Sequence, residues 1–258
     1  MLHQMKLRQK PYDGIKTGYK TIELRLYDKK RQKINAGDEI EFTCTENENE
    51  KITKKVSKIE VFDNFEQLFK GVPLLACGYS PFEIQIASAD DMNAYYFEEV
   101  QRKYKAVAIY LEEKPFQKYL AAQSGCFEAS GCSGYEKALE EIKSGGKTTH
   151  WIWYILPQLK SLPGDVPTKY YGLSGVDQAK EYYCHSVVGE RLKEICRALI
   201  AAECDDPVVI MGSYIDAFKL RDSMKLFLQA VPEEALFSAV LEKYYRSSLK
   251  TCRRSDVP

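Results

Sequence analysis

Long apolar runs, closely paired cysteines and histidines are scarce in this sequence. No apolar run reaches the ~18 residues that a membrane-spanning helix needs, and residues 1–10 lack the apolar core of a signal peptide. The eight cysteines contain no C-x-x-C pair and only three histidines are present, so the metal sites built on such pairs are not indicated. We therefore expect reduced thiols, no metal, no cofactor, no membrane partner and a cytoplasmic location.

The length and the change of periodicity along the chain indicate two domains. A chain of 258 residues is long for one compact core and comfortable for two. Short alternating segments fill residues 1–113 and helical periodicity fills residues 116–258, so we predict a boundary near Glu112–Pro115. The many short strands of the first part suggest a small barrel. The predicted fold class is α+β, with an N-terminal β-barrel that carries short helices and a C-terminal all-α domain.

Periodicity also predicts the individual elements. Strands are expected at Met5–Arg8, Thr21–Leu26, Glu39–Thr45, Ile52–Phe62 and Ala106–Leu111, and short helices at Tyr12–Thr17, Phe65–Phe69 and Asp90–Lys103. In the second domain, helices are expected at Phe116–Gln123, Tyr135–Lys143, Val176–Cys184, Val187–Ala202, Ile215–Ala230 and Glu233–Tyr245.

Charge is unevenly distributed although the whole chain is neutral. Residues 1–33 contain ten basic side chains against three acidic ones, a local net charge of +7. Such an excess is the electrostatic pattern expected for a phosphate-rich partner. A solvated basic face is the alternative interpretation.

One segment inside this basic region concentrates charge on a single strand face. Alternation over Thr21–Leu26 places Thr21, Glu23 and Arg25 together, with Lys20 at the start of the strand. Carboxylate, guanidinium and ammonium groups are costly to bury, so this face is either solvated, as a surface salt bridge, or functional. In a functional site, Glu23 would accept from a base or ribose and the cations would hold phosphate.

The run Lys16–Arg25 resembles the G-x-K-x-x-E-x-R signature of ASCH domains, which have a PUA-like barrel. The resemblance covers residues 3–112 and continues at Asp28–Gln32, Gly37-Asp38, Phe65–Phe69, Gly78-Tyr79, Asp91-Met92, Tyr95-Tyr96 and Lys103-Tyr104. It implies that RNA or a modified nucleoside binds in a cleft floored by the signature. The ligand-binding candidates are Lys20, Thr21, Glu23, Arg25 and Arg31.

Some small ASCH proteins that this sequence resembles are amidohydrolases on acetylated cytidine and use a Lys, a Thr and a Glu. Lys20 falls on that Lys, whereas Glu23 stands where the Thr belongs. If the domain is catalytic, Lys20 and Glu23 are the candidate catalytic residues, because a Lys with a lowered pKa can act as nucleophile or base. The Glu at position 23 favours binding over hydrolysis.

Ser144–Thr148 looks like the end of a phosphate-binding P-loop. The complete motif requires Gly at position 141, where Glu141 stands, and no strand precedes the segment. The glycine pair more simply ends the helix predicted at Tyr135–Lys143.

The segment His150–Gln158 contains both tryptophans. His150 beside Trp151 and Trp153 is suited to stacking on a planar base, and the alternative is a tryptophan-rich core segment. Farther along, Asp216 and Lys219 lie in a predicted helix, where they either form a site or pair along the solvent face. The isolated pair Cys184-His185 suits a structural role.

Residues 116–255 resemble the helical family of unknown function DUF1810. The matching positions are Gln123, Tyr135, Ala138-Leu139, Ile142, Ser144-Gly145, Lys147, His150-Trp151, Trp153, Pro157–Leu159, Tyr171-Gly172, Gly189, Arg191-Leu192, Gly212, Asp216, Lys219-Leu220, Ser223-Met224 and Leu226-Phe227. Polar residues within these motifs suggest a pocket at His150, Gln158, Asp216 and Lys219. Trp151 and Trp153 are added as stacking residues.

The leading functional hypothesis is therefore a protein that binds RNA or a nucleotide-like small molecule in an ASCH cleft, with a second pocket in the helical domain. One rival is a hydrolase of modified nucleosides or nucleotide conjugates. The other is a protein-interaction module, which a large exposed aromatic patch near Trp151 would favour. The sequence leaves the oligomeric state open.

Overall fold

The computed structural model describes the backbone of residues 1–252 and the side chains of residues 1–246, so the side chain of Cys252 lies outside the described part. Two compact units follow each other along the chain, with the division between Gln117 and Lys118. Seven of the cysteines, Cys44, Cys77, Cys126, Cys132, Cys184, Cys196 and Cys204, are free thiols.

The N-terminal unit is built on one curled five-stranded sheet, a half-barrel. Its strands are β1 (Leu2–Leu7), β2 (Ile22–Leu26), β3 (Glu39–Cys44), β4 (Lys51–Phe62) and β5 (Ala106–Leu111). They are ordered β1-β3-β4-β5-β2, and only the β1–β3 pair is parallel. Strands β1 and β2 are therefore the two edges of the sheet. The helices are α1 (Gln9–Thr17), α2 (Phe65–Gly71) and α3 (Glu98–Gln101).

Alternation fixes the core of this unit. The inward residues of the strands and of α1 form one buried apolar cluster, which includes Leu7, Ile15, Phe42, Val56 and Ile109. On β2 the apolar set Ile22, Leu24 and Leu26 is buried as the alternation predicts. Glu23, on the opposite face, is buried as well, so β2 is covered on both sides.

The helix predicted at Asp90–Lys103 is wrong in extent. A 3₁₀ turn at Ala89–Ala94 begins with a capping box between Ser88 and Asp91, and only Glu98–Gln101 forms α3. Phe97 is extended between them, with φ −64° and ψ 146°. Packing explains the break, because the Tyr96 ring stacks on Phe65 at 6.0 Å and anchors this stretch to α2.

The C-terminal unit is helical, as predicted. Its helices are α4 (Gln117–Gln123), α5 (Tyr135–Lys143), α6 (Ile152–Ile155), α7 (Val166–Tyr171), α8 (Val176–Cys184), α9 (Val188–Ala201), α10 (Pro207–Met211), α11 (Tyr214–Ala230) and α12 (Ala235–Cys252). Helix α12 is kinked at Tyr245. The core is rich in aromatic rings, and Tyr119, Tyr154, Tyr171, Tyr182, Phe227 and Phe237 are fully buried.

Close packing between α8 and α9 depends on Gly189. A Cβ at this position would lie 2.0 Å from the carbonyl oxygen of Tyr183, which is backbone and cannot move aside. We expect Gly189→Ala to lower the free energy of unfolding by about 3 kcal/mol through overpacking. Chemical denaturation of the full chain measures this.

Gly175 supplies the control for this prediction, because nothing lies within 4 Å of a Cβ built there and its backbone is extended. Gly175→Ser should leave the unfolding free energy nearly unchanged. If Gly189→Ala and Gly175→Ser have the same free energy of unfolding, the contact between α8 and α9 has room for a methyl group.

Candidate functional site

The two edge strands of the sheet are connected by a side chain. Arg25 on β2 donates from Nη2 to the backbone carbonyl of Lys6 on β1, at 2.9 Å. This charge-assisted hydrogen bond joins strands that have no ladder between them in the strand order. The signature residues therefore lie at the open seam of the half-barrel.

Glu23 sits between two cations at this seam. Its Oε1 lies 2.7 Å from Arg25 Nε, and its Oε2 lies 3.2 Å from Lys20 Nζ. The side chains of Lys20 and Glu23 are only 7% and 5% exposed. Lys20 Nζ also donates to the carbonyls of Ile22 and Cys77, each at 2.8 Å. The three hydrogens of the Lys20 ammonium thus have three acceptors.

The pKa of Glu23 follows from this arrangement. Burial alone would raise it, but the positive charges of Lys20 and Arg25, together with their hydrogen bonds, hold the pKa below its usual range. The carboxylate is therefore ionised at neutral pH and fixed in place. Thr21 is buried next to it, and its backbone N–H donates to the Ala76 carbonyl at 2.8 Å.

A cleft of about 700 Å³ opens above this floor. One wall is the basic stretch Lys6–Lys10, and the other is the irregular segment Gly78–Tyr96. The Arg8 guanidinium lies 5.2 Å from the centre of the Tyr95 ring, whose side chain is half exposed. Gly78 has φ +100°, and a Cβ there would lie 3.3 Å from the Lys20 side chain. This glycine gives the buried lysine its space.

The basic excess is divided between the cleft and other surfaces. Five of the ten cations of residues 1–33 line the cleft, namely Lys6, Arg8, Lys10, Lys20 and Arg25. Arg31 is not among them. It pairs with Asp28 at 2.8 Å and lines a smaller cavity of about 190 Å³ beside Lys30 and Lys33. Three of the five predicted ligand-binding residues, Lys20, Glu23 and Arg25, therefore line the cleft. Thr21 is buried and Arg31 lies apart, so neither lines it.

In the helical unit, the buried carboxylate of Glu141 organises the segment 147–151. It accepts from the backbone N–H and hydroxyl groups of Thr148 and Thr149 and from the indole N–H of Trp151, at 2.6 to 3.2 Å. Burial would raise its pKa, but these donors lower it to about 2. Glu141, which stands where a P-loop would require glycine, thus anchors the loop after α5.

This anchored loop presents Lys147 to the first turn of α11. Lys147 Nζ lies 2.6 Å from Asp216 Oδ2, and Lys219 Nζ lies 3.6 Å from Asp216 Oδ1. Lys219 is also 3.6 Å from Asp165, the residue that caps α7. The side chains of Lys147, Asp216 and Lys219 are only 7%, 14% and 12% exposed. Two ammonium groups therefore share one aspartate in a nearly buried cluster.

Aromatic side chains adjoin this cluster. The rings of His150 and Trp153 stack with centres 6.2 Å apart and an interplanar angle of 16°. Lys219 Nζ lies 5.2 Å from the centre of the Trp153 ring. Partial burial, together with the positive charge of Lys147, lowers the pKa of His150, so its imidazole is neutral at pH 7.

The predicted residues of the helical unit separate into two groups. His150, Trp153, Asp216 and Lys219 lie around the cluster, whereas Trp151 and Gln158 are buried. Sequence reasoning did not identify Lys147 and Asp165 as part of the charged cluster, or Glu141 as the anchor of the adjoining loop. Only Lys147 carried a signal, because it is one of the positions that match the family motif.

Within the described residues, no group of three or more His, Cys, Asp or Glu side chains is arranged to hold a metal ion. The helices of this same part of the chain also include none with the length and apolar character required to cross a membrane.

Comparisons with known proteins agree with this organisation. Residues 5–116 match the ASCH domain, and residues 113–254 match the protein of unknown function DUF1810. No curated protein matches the chain. Three solved structures resemble it at TM-scores below 0.5. The conserved hypothetical protein Rv1873 from Mycobacterium tuberculosis is 30% identical, with a TM-score of 0.46, over 51% of this chain and 87% of its own.

The other two solved structures are shorter matches. Hypothetical protein PH0355 is 33% identical, with a TM-score of 0.36, over 43% of this chain and 98% of its own. Protein PF0455 from Pyrococcus furiosus is 30% identical, with a TM-score of 0.33, over 43% of this chain and 96% of its own.

Fold and site together define an α+β protein in which a PUA-like ASCH half-barrel is followed by a helical unit. Because the DUF1810 match spans more than half of the 258 residues, the chain belongs to the DUF1810 family.

The anchoring role of Glu141 predicts a specific dependence of stability on pH. Its folded pKa of about 2 lies below the ordinary 4.5, so its contribution is complete above pH 4.5 and is lost as the pH falls toward 2. We expect Glu141→Gln to lower the unfolding free energy by about 2 kcal/mol at neutral pH, because an amide leaves some of the donors unsatisfied. The variant should also lose less stability than the parent between pH 5 and pH 3.

Denaturant unfolding of the full chain at several pH values measures both effects. Glu140→Gln is the matched control, because Glu140 lies on the same helix, is exposed and pairs with the exposed Lys137 at 3.0 Å. If Glu141→Gln and Glu140→Gln show the same dependence on pH, Glu141 is not the anchor.

Proposed function

We propose that the N-terminal unit binds single-stranded RNA in the cleft above Lys20, Glu23 and Arg25. The ASCH match points to RNA binding at a general level. The observation that carries the proposal is an ionised carboxylate, fixed between two cations, at the floor of a cleft of about 700 Å³ with a basic rim. A fixed acceptor selects bases by their N–H groups, and the rim supplies charge for phosphates.

The walls of the cleft are suited to the remaining parts of an RNA ligand. Lys6, Arg8 and Lys10 are exposed and lie in sequence along one wall, where they can follow a phosphate backbone. On the facing wall, the half-exposed ring of Tyr95 and the Arg8 guanidinium over it form a surface on which a base could stack. Base contact at the floor and phosphate contact at the rim would occur together.

Binding is a better fit than hydrolysis because of the surroundings of Lys20. A nucleophilic or basic lysine needs a free lone pair, but the Lys20 ammonium donates to two carbonyls and contacts the Glu23 carboxylate. These three acceptors hold the Lys20 side chain in place at the floor of the cleft. Trp151 itself is fully buried, so it could not take part in a protein interface. The exposed Tyr214, Ile215 and Phe218 on α11 leave the interaction-module hypothesis as an alternative.

The hydrolase alternative has a direct test. We expect no deacetylation when the protein is incubated with acetylated cytidine, since Lys20 Nζ is engaged by two backbone carbonyls and the Glu23 carboxylate. Chromatography of the reaction products measures turnover, and a Lys20→Ala variant serves as the control. If the parent protein deacetylates the nucleoside and Lys20→Ala does not, the N-terminal unit is a hydrolase and the binding proposal is wrong.

RNA binding in the cleft is tested by removing one rim charge. We expect Lys6→Gln to weaken binding of a single-stranded RNA and to reduce the slope of log K against log salt by about 0.7, the value for one phosphate contact. Arg8→Gln should act in the same direction. Fluorescence anisotropy at a series of salt concentrations measures affinity and slope.

Lys58→Gln is the matched control for this experiment. Both Lys6 and Lys58 are exposed strand residues that pair with a glutamate, Glu48 and Glu60 respectively, but Lys58 does not line the cleft. Equal losses for Lys6→Gln and Lys58→Gln would mean that RNA binds by overall charge and not in the cleft.

For the helical unit we propose a second ligand site at the cluster of Lys147, Asp216 and Lys219, with His150 and Trp153 beside it. Support comes from the burial of two lysines around one aspartate next to a stacked aromatic pair. Charged groups gathered in this way are more typical of functional sites than of a solvated helix face.

A further inference from the structure

We infer that the cluster in the helical unit binds a nucleoside phosphate, with the phosphate monoester held by Lys147 and Lys219 and the base placed against His150 and Trp153. The inference rests on the second site proposed above and names its ligand. It does not depend on RNA binding in the cleft, which lies in the other unit.

The first step is that the two lysines are incompletely satisfied. Lys219 Nζ is 3.6 Å from one oxygen of Asp216 and from one of Asp165, which is longer than a hydrogen bond. For Lys147 Nζ the one ion-pair contact among the described side chains is Asp216. Each ammonium carries three donors, and leaving donors unfilled is costly for nearly buried groups. Both ammonium groups therefore retain donors for a ligand oxygen.

The second step concerns the chemistry of the missing partner. The two ammonium groups face Asp216 between them and Asp165 beside Lys219, so a ligand that takes their remaining donors needs several acceptor oxygens and enough negative charge to compete with these carboxylates. A phosphate monoester has three such oxygens and about two charges at neutral pH. Lysine, as a compact point charge with three donors, is well suited to phosphate.

The third step is the aromatic pair beside the charges. His150 is exposed, and its ring is nearly parallel to that of Trp153. Because the imidazole is neutral at pH 7, it offers an uncharged planar ring beside Trp153. Lys219 connects the aromatic pair with the charged groups, since its Nζ lies 5.2 Å from the centre of the Trp153 ring and 3.6 Å from the carboxylates of Asp165 and Asp216. A ligand with an anion and a planar base matches this adjacency.

The role of Asp216 follows from the same geometry. Its carboxylate contacts both lysines, at 2.6 Å and 3.6 Å, and so neutralises them when no ligand is bound. A phosphate must compete with it for the same donors. Removing this negative charge should therefore strengthen phosphate binding, which is the opposite of what loss of a purely structural contact would do.

Histidine NMR provides the experiment, because the chain has only three histidines. The full-length protein is titrated with each of the four nucleoside 5′-monophosphates, with adenosine and with inorganic phosphate, while the ring signals of His3, His150 and His185 are followed. We expect a monophosphate to shift the His150 signal and to raise its pKa, since a dianion then lies near the imidazole. Adenosine and inorganic phosphate should bind at least tenfold more weakly than the best monophosphate.

Substitutions test the named roles. Lys219→Gln should weaken binding of the best monophosphate about tenfold, the loss expected for one charge-assisted hydrogen bond. Asp216→Asn should bind it more tightly than the parent. Lys225→Gln, on the exposed face of the same helix, should bind it unchanged. Weaker binding by Asp216→Asn in a variant that remains folded would overturn the inference, as would a His150 signal that no monophosphate shifts.

The phosphate could belong to a free nucleotide or to the end of an RNA, and a further titration separates these sources. A 5′-phosphorylated trinucleotide and its unphosphorylated form are compared by the same His150 signal. A response to the phosphorylated form alone assigns RNA ends as ligands, and a response only to monophosphates assigns free nucleotides. Because the Lys6→Gln variant reports on the cleft, failure of one proposal remains distinguishable from failure of the other.

Discussion

The N-terminal unit depends on one ionic connection, the contact of Glu23 with Arg25 and Lys20 at the seam between two edge strands. A sheet that curls without closing leaves β1 and β2 each with one edge that has no strand partner, and unpaired edges are a liability. Arg25 reaches from one edge to a carbonyl of the other, and Glu23 fixes its guanidinium. The open seam becomes a cleft with a charged floor, and the basic stretch of β1 and α1 becomes its rim.

Buried charges in the helical unit illustrate the difference between a structural and a functional ion. Glu141 is surrounded by five donors from the segment 147–151, and its negative charge is fully used in holding that loop. The lysines that this loop and α11 bring together have fewer acceptors than donors. The proposed ligand site in the helical unit rests on this difference between saturated and unfilled groups. Lys20, with three acceptors, resembles Glu141 in this respect.

Both units therefore combine ionic groups with aromatic rings, in different ways. In the cleft, the anion is part of the protein and the rim cations are exposed, an arrangement suited to reading a base while following a charged backbone. In the helical cluster the cations are nearly buried, an arrangement suited to enclosing one anionic group. Membership of the DUF1810 family and the ASCH match are consistent with both arrangements, but the chemical distinction comes from burial and distance.

The sequence by itself determined the fold class, most of the helical and strand segments within a residue or two, and the signature residues of both families, because periodicity and motif spacing are local properties. It missed the short helices α6, α7 and α10, which have too few turns to show a helical period. It did not determine which charges share a partner. Lys147 and Asp216 are 69 positions apart in the sequence, and only the tertiary packing of the loop after α5 against α11 brings their charged groups within 2.6 Å. Nor did it separate Trp151 from Trp153, two positions apart, because tertiary packing decides that one indole is buried against Glu141 and the other lies beside Lys219. Tertiary packing also explains why residues 90–103 do not form one helix. The Tyr96 ring stacks on Phe65, a contact that local sequence preferences do not predict.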